Sequence, residues 1–131
     1  MTKHLRKMRS WPDHKAWFKF IDIDTCLDSI YASDNAYIVD DAFLVVYELV
    51  TPWYAKEDVV LLNEVIILRL VPGGDFKNVA SFLERKREEA GAKLVCVGTA
   101  LTRTDAALAS VYHKLGFKTE TIILVQDPAL T

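Results

Sequence analysis

The spacing of apolar residues changes along the chain, and the first change separates a helical segment from a β-hairpin. Across residues 13–31 apolar positions recur every three to four residues, which predicts helix with a break at the β-branched run 21–25. Two β-rich runs then flank Asp40 and Asp41, and this arrangement predicts a hairpin with a tight turn. A turn is also expected where Ser33 separates these two segments.

A long apolar stretch follows the hairpin. Residues 59–70 are rich in Val, Ile and Leu, which favours a central strand, or two short strands joined at Asn63. The sequence Pro-Gly-Gly at 72–74 ends this strand. Residues 76–90 then have one apolar and one charged side, which predicts an amphipathic helix ended by Gly91.

The last third of the chain continues the alternation. It predicts a short buried strand at 93–98, a helix at 106–115 after an N-cap at Thr104 and Asp105, and a final strand at 117–125. Together with the hairpin, this order predicts an α/β (α+β) fold. Its central sheet is expected to be mixed and mainly antiparallel, with helices on both faces.

The second of these helices carries a family resemblance. Counted from Asp105, the segment DAALASVYHKLGF places Tyr112, Gly116 and Phe117 at the fixed positions of the pattern N-x-x-A-x-x-x-Y-x-x-x-G-F. It resembles the acyl-coenzyme-A-binding half of the GNAT superfamily of N-acetyltransferases. Asp105 stands where asparagine is usual, and Leu108 where alanine is usual. The resemblance implies a GNAT-like sheet with splayed central strands.

The preceding strand and loop resemble the other diagnostic segment of that family, a strand ending in V-x-P followed by Q/R-x-x-G-x-G/A. Here the strand is EVIILRLVP, and the loop positions fall on Asp75, Asn78 and Ala80, of which only Ala80 conforms. In this fold the loop and helix N-terminus bind the pyrophosphate of coenzyme A. Asp75 either repels that anion or simply caps the helix.

The resemblance implies acetyl-CoA as the cofactor. The residues that would contact it are the backbones of Leu68 and Leu70 for the pantetheine arm, the loop and helix residues Phe76, Lys77, Asn78, Val79 and Ala80 for the pyrophosphate, and Asp105 in the second segment.

Two residues are candidates for catalysis. Tyr112, at its matched position, would donate a proton to the departing thiolate, because a tyrosine is protonated at neutral pH. Glu64 lies among apolar residues, where desolvation raises a carboxyl pKa as a general base requires. The alternatives are a tyrosine that anchors its helix to the core and a strand-end glutamate that faces solvent.

Charged residues are unevenly distributed along the chain. The net charge is −2 at pH 7, but residues 1–11 form a basic N-terminal arm, and residues 22–64 are acidic. No aromatic platform or groove-reading motif accompanies these charges, so a solvated segment is favoured over nucleic-acid binding. The middle segment either offers a pocket for a cationic amine or is ordinary hairpin surface. Its acidic and aromatic residues are Tyr37, Asp40, Asp41, Tyr47, Glu48, Trp53 and Tyr54.

Length and composition limit the remaining classes. The 131 residues are expected to form a single domain, without the apolar run of about 20 residues that a membrane span needs or the core of a secretion signal. Three scattered histidines predict no metal site, and two cysteines predict no disulfide framework. A cytoplasmic location is therefore expected.

These observations lead to a hypothesis and an alternative. The hypothesis is an N-acetyltransferase that acts on an amine of a small molecule or on a protein lysine or N-terminus. The alternative is a catalytically inactive GNAT-fold binding or virion-associated protein, because the chain also resembles small GNAT-like proteins of bacteriophages; its location would then be the host cytoplasm or the virion. A homodimer paired through the last strand would suit either.

Overall fold

The computed structural model describes residues 2–3, 5–6, 15–102 and 104–128 of the chain. They form an α+β fold with an open, four-stranded mixed sheet. In chain order the elements are a 3-10 helix Ala16–Phe20, α1 Ile23–Ala32, β1 Ala36–Val39, β2 Phe43–Val50, β3 Leu61–Arg69, α2 Phe76–Ala90, β4 Val95–Cys96 and α3 Asp105–Lys114.

The strands follow one another across the sheet in chain order. β1, β2 and β3 are antiparallel neighbours, and β4 lies parallel to β3 after the crossover through α2. The mixed, mainly antiparallel sheet predicted from the sequence is thus confirmed. β3 and β4 are paired only where Leu62 lies opposite Val95 and Asn63 opposite Cys96. No further residue pairs join the described parts of the two strands.

The predicted hairpin turns at Asp40 and Asp41. Both residues have positive φ, 56° and 51°, and the Ala42 N–H donates to the Val39 carbonyl at 3.2 Å. Two successive positive φ angles match the twist of the flanking strands, and aspartate tolerates this conformation better than most residues. The turn directs the Asp40 side chain towards the start of α2, where it accepts hydrogen bonds.

β3 is one continuous strand with a β-bulge at Val65. Val46 of β2 lies opposite Ile66, and Tyr47 lies opposite Glu64, so Val65 has no partner of its own on β2. An extra residue of this kind reverses which side chains face which side of the sheet. Glu64 therefore shares a face with Tyr47, whereas Ile66 faces the other side.

The bulge allows β3 to contribute to two hydrophobic clusters, one on each face of the sheet. Leu62 belongs to the cluster under α2, and Leu68 to the opposite cluster. The first cluster joins Val79, Phe82 and Leu83 of α2 to Phe43, Val45 and Tyr47 of β2. The second joins Leu68 to Leu5, Phe18, Ile23, Cys26 and Leu101. Helical elements therefore cover both faces, as predicted.

α2 has the predicted bounds. The Asp75 carboxylate caps its first turn by accepting the Lys77 N–H at 2.9 Å, and Gly91 ends it in the left-handed conformation with φ 67°.

The N-terminal helical segment is broken at Ile21, because the carboxylate of Asp22 caps α1 by accepting the Thr25 N–H. Residues 13–14 and most of the basic arm lie outside the described residues. None of the helices described is long and apolar enough to cross a membrane.

The predicted last strand, 117–125, is wrong. This segment has no regular secondary structure, and Ile122, Ile123 and Leu124 are 78%, 79% and 90% exposed. β propensity marks a segment that fits a sheet but does not supply an edge to pair with. The predicted buried strand 93–98 is likewise reduced to Val95–Cys96, of which Val95 is half-buried and Cys96 is exposed. Pairing of 117–125 across a dimer stays a prediction.

Two adjacent glycines offer a test of how tightly the loop before α2 packs on the hairpin turn. Gly73 and Gly74 both have positive φ, but only at Gly74 would a Cβ atom meet neighbours, Ala42 at 2.9 Å and Phe43 at 3.0 Å. We expect Gly73→Ala to lower the free energy of unfolding by about 1–2 kcal/mol through backbone strain. Gly74→Ala should cost about 1–3 kcal/mol more through overpacking. Urea denaturation of both variants checks this, and equal losses would show that the loop does not press on the turn.

Candidate functional site

Glu64 is a carboxyl group held against an apolar core. It precedes the bulge of β3, is partly buried, and accepts a hydrogen bond from the Gly98 N–H. Burial raises the pKa of Glu64 to about 7, and the Gly98 hydrogen bond opposes this rise only in part. The carboxyl is thus close to half-ionised at neutral pH, as expected of a general base.

Tyr112 of α3 is buried, with 4% of its surface exposed. Its ring packs edge-on against Phe76, with ring centres 5.3 Å apart, and against Phe117 at 5.2 Å. The hydroxyl has no hydrogen-bond partner among the described residues. A buried polar group left unpaired costs about 1–3 kcal/mol, so the environment of this hydroxyl calls for an explanation.

The fold brings these two predicted residues within electrostatic reach of each other, although they lie 48 positions apart in the sequence. Burial is the main cause that raises the pKa of Tyr112, and the negative charge of Glu64 adds to the rise. The hydroxyl therefore stays protonated at physiological pH. The pair consists of a proton acceptor that titrates near neutrality and a donor that does not ionise there.

An apolar groove lies beside the C-terminal end of β3. It has a volume of about 380 Å³ and lies between β3, α3 and the loop that joins β4 to α3. Its apolar lining is provided by Ile67, Leu68, Phe76, Leu101, Leu108 and Val111. Phe76 also touches the Tyr112 ring, so the groove adjoins Tyr112. Its size lies at the lower end of the range for small-molecule sites.

The backbone along the groove differs from the sequence-based prediction. The Leu70 N–H donates to the Ala42 carbonyl at 2.8 Å. Because backbone groups alternate in direction along a strand, those of Leu68 also point to β2. The polar groups of Ile67 and Arg69 therefore face the open edge, rather than those of Leu68 and Leu70. The bulge at Val65 causes this change of direction.

The N-terminus of α2, where the resemblance places a pyrophosphate, already holds a carboxylate of the protein. Asp40 Oδ2 accepts the Asp75 N–H at 2.6 Å and the Asn78 side-chain N–H at 2.9 Å. These two bonds, that of Asn78 foremost, lower the pKa of Asp40, so the carboxylate is charged. Asp75 itself caps the helix, as its residue type allows.

The other residues predicted at this position have different environments. Val79 is fully buried in the core under α2, and the Phe76 ring packs against Phe43 with ring centres 5.6 Å apart. Lys77 is exposed, and Ala80 is half-buried. Of this segment only Lys77 offers a cationic side chain to an anion.

Asp105 ties α3 to the N-terminal part of the chain. Its carboxylate pairs with the Lys15 ammonium at 2.6 Å and accepts the Thr99 hydroxyl at 2.5 Å. The bond from Lys15, followed by that from Thr99, lowers the pKa of Asp105. Its carboxylate is thus engaged in holding the loop before α3, and Lys15 is a partner that sequence reasoning missed.

The aromatic residues of the middle segment do not present an open cation pocket. Tyr37 and Tyr47 stack with ring centres 6.1 Å apart and pack on Phe82. The ammonium of Lys86 lies 4.7 Å from the centre of the Tyr37 ring. That aromatic face already has a cation from the protein itself, whereas Trp53 lies exposed in the loop after β2.

Sequence reasoning missed two contributors to the site. Gly98 gives its N–H to Glu64, and Arg69 places its guanidinium 4.5 Å from the centre of the Phe43 ring and bonds the Gly73 carbonyl. A glycine just after a short apolar run was a signal for close backbone approach. The orientation of Arg69 had no sequence signal, because it depends on the bulge.

Stability as a function of pH tests the environment of Glu64. With its pKa raised from 4.5 to about 7, the folded state binds more protons than the unfolded state between these values. The free energy of unfolding should therefore fall as pH rises through this window, by up to about 3 kcal/mol from this group. In Glu64→Gln this contribution should vanish, whereas the exposed loop variant Glu57→Gln should retain it. Parallel pH profiles for the wild type and Glu64→Gln would refute a buried, shifted carboxyl.

Removal of the Tyr112 hydroxyl should not destabilise the protein. Because this hydroxyl is buried without a described partner, Tyr112→Phe should unfold at the same or higher urea concentration, with a gain of about 1 kcal/mol at most. Tyr47 is a matched control, since it is equally buried but hydrogen-bonded to Tyr37. Tyr47→Phe should lose about 1 kcal/mol. An equal loss in both variants would assign Tyr112 a purely structural role.

Comparison of the chain with protein-family models, with curated proteins and with solved structures found no match. The resemblance to the GNAT superfamily at Tyr112, Gly116 and Phe117 therefore stays a prediction made from the sequence. Function has to be inferred from the side chains that the fold brings together.

Proposed function

We propose that this protein transfers an acyl group from a thioester to an amine, with Glu64 as general base and Tyr112 as hydrogen-bond donor and acid. The observation that carries the proposal is the pairing of a carboxyl with a pKa near 7 and a buried, unpaired phenol beside an apolar groove. Groups with perturbed pKa values next to a cleft are typical of catalytic sites.

The groove suits the uncharged arm of a thioester. Its walls are mainly apolar, and the backbone groups of Ile67 and Arg69 along the open edge can hydrogen-bond an amide-bearing chain as a neighbouring strand would. An extended arm laid along β3 would direct its acyl end towards Phe76 and the acid–base pair. The resemblance to N-acetyltransferases supports acetyl thioesters, acetyl-CoA among them, as the first donors to test.

The proposed reaction needs two proton transfers. The amine nitrogen attacks the carbonyl carbon and loses a proton to the Glu64 carboxylate as the C–N bond forms. The C–S bond then breaks, and the departing sulfur takes the hydroxyl proton of Tyr112. Glu64 returns its proton to the tyrosinate, so the products are an amide and a free thiol and both residues are restored.

The order of these transfers follows from the electrostatics. The charge of Glu64 helps to raise the pKa of Tyr112, so loss of the phenol proton is disfavoured while Glu64 is ionised. Once Glu64 has taken the amine proton, that charge is gone and Tyr112 becomes a stronger acid. The base therefore acts first, and the acid acts when the leaving group departs.

A thioester-binding protein without turnover is a second candidate. It is favoured by the Asp40 carboxylate at the N-terminus of α2, because an acyl-CoA would lose its expected phosphate contacts there. The two candidates share the groove and differ only in whether the acid–base pair acts.

An assay by mass spectrometry tests the proposal with acetyl thioesters and a panel of small amines and lysine peptides. We expect amide formation whose kcat/KM rises with pH through about 7, as Glu64 ionises. Glu64→Gln and Tyr112→Phe should each lower kcat by about a hundredfold. Glu57→Gln and Tyr31→Phe, both exposed, serve as controls. Thioester binding without amide formation on any acceptor would favour the second candidate, and absence of both would remove the two together.

A further inference from the structure

We propose that Asp40 is a specificity-determining residue, an internal anion that occupies the position of a donor pyrophosphate, so that the protein selects thioesters by their uncharged arm and discriminates against coenzyme A. The inference rests on the proposed thioester site. It names the substrate class as acyl thioesters of pantetheine or of a similarly uncharged thiol.

The geometry at the start of α2 is the first support. A single carboxylate oxygen, Asp40 Oδ2, accepts both the Asp75 N–H and the Asn78 side-chain N–H. A helix N-terminus favours an anion, and here the anion belongs to the chain itself. A phosphate at this position would have to displace Asp40 and leave its charge without these partners.

The packing of the loop is the second support. A Cβ atom at Gly74 would lie 2.9 Å from Ala42, 3.0 Å from Phe43 and 3.2 Å from Asp40 Oδ2. The loop before α2 therefore lies directly on the hairpin turn. A pyrophosphate wrapped by this loop would require the turn and the loop to move apart.

Charge is the third support. Asp75 caps α2 beside Asp40, so two carboxylates lie at the helix start. A pyrophosphate brought to this position meets like charges at short range. Among the cationic side chains close by in the described chain, that of Arg69 already contacts the Phe43 ring and donates to the Gly73 carbonyl. The side chain of Lys77 is exposed.

The size and character of the groove are the fourth support. About 380 Å³ of mainly apolar space fits an acylated arm better than a complete nucleotide-bearing donor. Donor recognition is then concentrated in the part of the thioester that lies along β3.

Titration calorimetry with S-acetylpantetheine, its 4′-phosphate and acetyl-CoA tests the inference. The wild type should bind S-acetylpantetheine at least as tightly as acetyl-CoA. Asp40→Gly keeps the positive φ without strain and removes the carboxylate, so its affinity for acetyl-CoA should rise about fivefold or more. Its affinity for S-acetylpantetheine should stay within about twofold of the wild-type value. Asp41→Gly, at the neighbouring positive φ of the same turn, is the matched control and should change neither affinity.

The outcomes separate this inference from the proposed function. Tighter wild-type binding of acetyl-CoA than of S-acetylpantetheine, or an unchanged acetyl-CoA affinity in Asp40→Gly, would overturn the role of Asp40 and leave the thioester site intact. No binding of any of the three donors would overturn the thioester site itself and this inference with it. If Asp40→Gly does not fold, Asp40→Asn, which keeps an acceptor but no charge, is compared with Asp41→Asn in the same titration.

Discussion

The bulge at Val65 is the constraint on which the rest of the arrangement depends. A regular strand would place Leu62, Glu64, Ile66 and Leu68 on one face of the sheet. The extra residue divides them, so β3 supplies one apolar side chain to the core under α2 and another to the core on the opposite face. The same irregularity leaves a glutamate on the α2 face and directs the Ile67 and Arg69 backbone to the open edge.

The short pairing of β3 with β4 leaves the candidate site beside this local irregularity. With only two residue pairs joining the strands, the described edge of β3 beyond Asn63 has no neighbouring strand, and α3 lies across the gap. Aromatic contacts link α3 to α2 through Tyr112 and Phe76. The polar atoms of Glu64 and Tyr112 are consequently held in apolar surroundings by packing that does not depend on their own hydrogen bonds. Removing water from such a pair strengthens every electrostatic effect within it.

Local signals predicted the elements that depend on a few adjacent residues. The tight turn at Asp40 and Asp41, the Asp75 cap and the Gly91 end of α2 all follow from short-range chemistry, and all are observed. The proximity of Glu64 and Tyr112 was foreseen only through the family resemblance, since periodicity carries no information on long-range contacts.

What the sequence could not reveal depends on contacts between distant segments. The bulge exists because two strands adopt a register that suits both cores, and neither strand shows this alone. The bond of Asp40 to the start of α2 and the pairing of Lys15 with Asp105 join residues 35 or more positions apart. The prediction of a strand after α3 was wrong for the opposite reason. The β propensity of this segment is strong, but the described sheet offers it no strand partner.

That unpaired segment has a consequence for the protein in concentrated solution. Residues 121–126, TIILVQ, contain no charge, proline or glycine, and three of their apolar side chains are almost fully exposed. Short stretches of this kind are the typical nuclei of intermolecular β-aggregation. Glu120 and Asp127 flank the stretch as charged gatekeepers, but Asp127 is already paired with Lys19. Glu120 is likewise paired with Lys118, at 3.3 Å, so at each end of the stretch the gatekeeper charge is already balanced by a lysine.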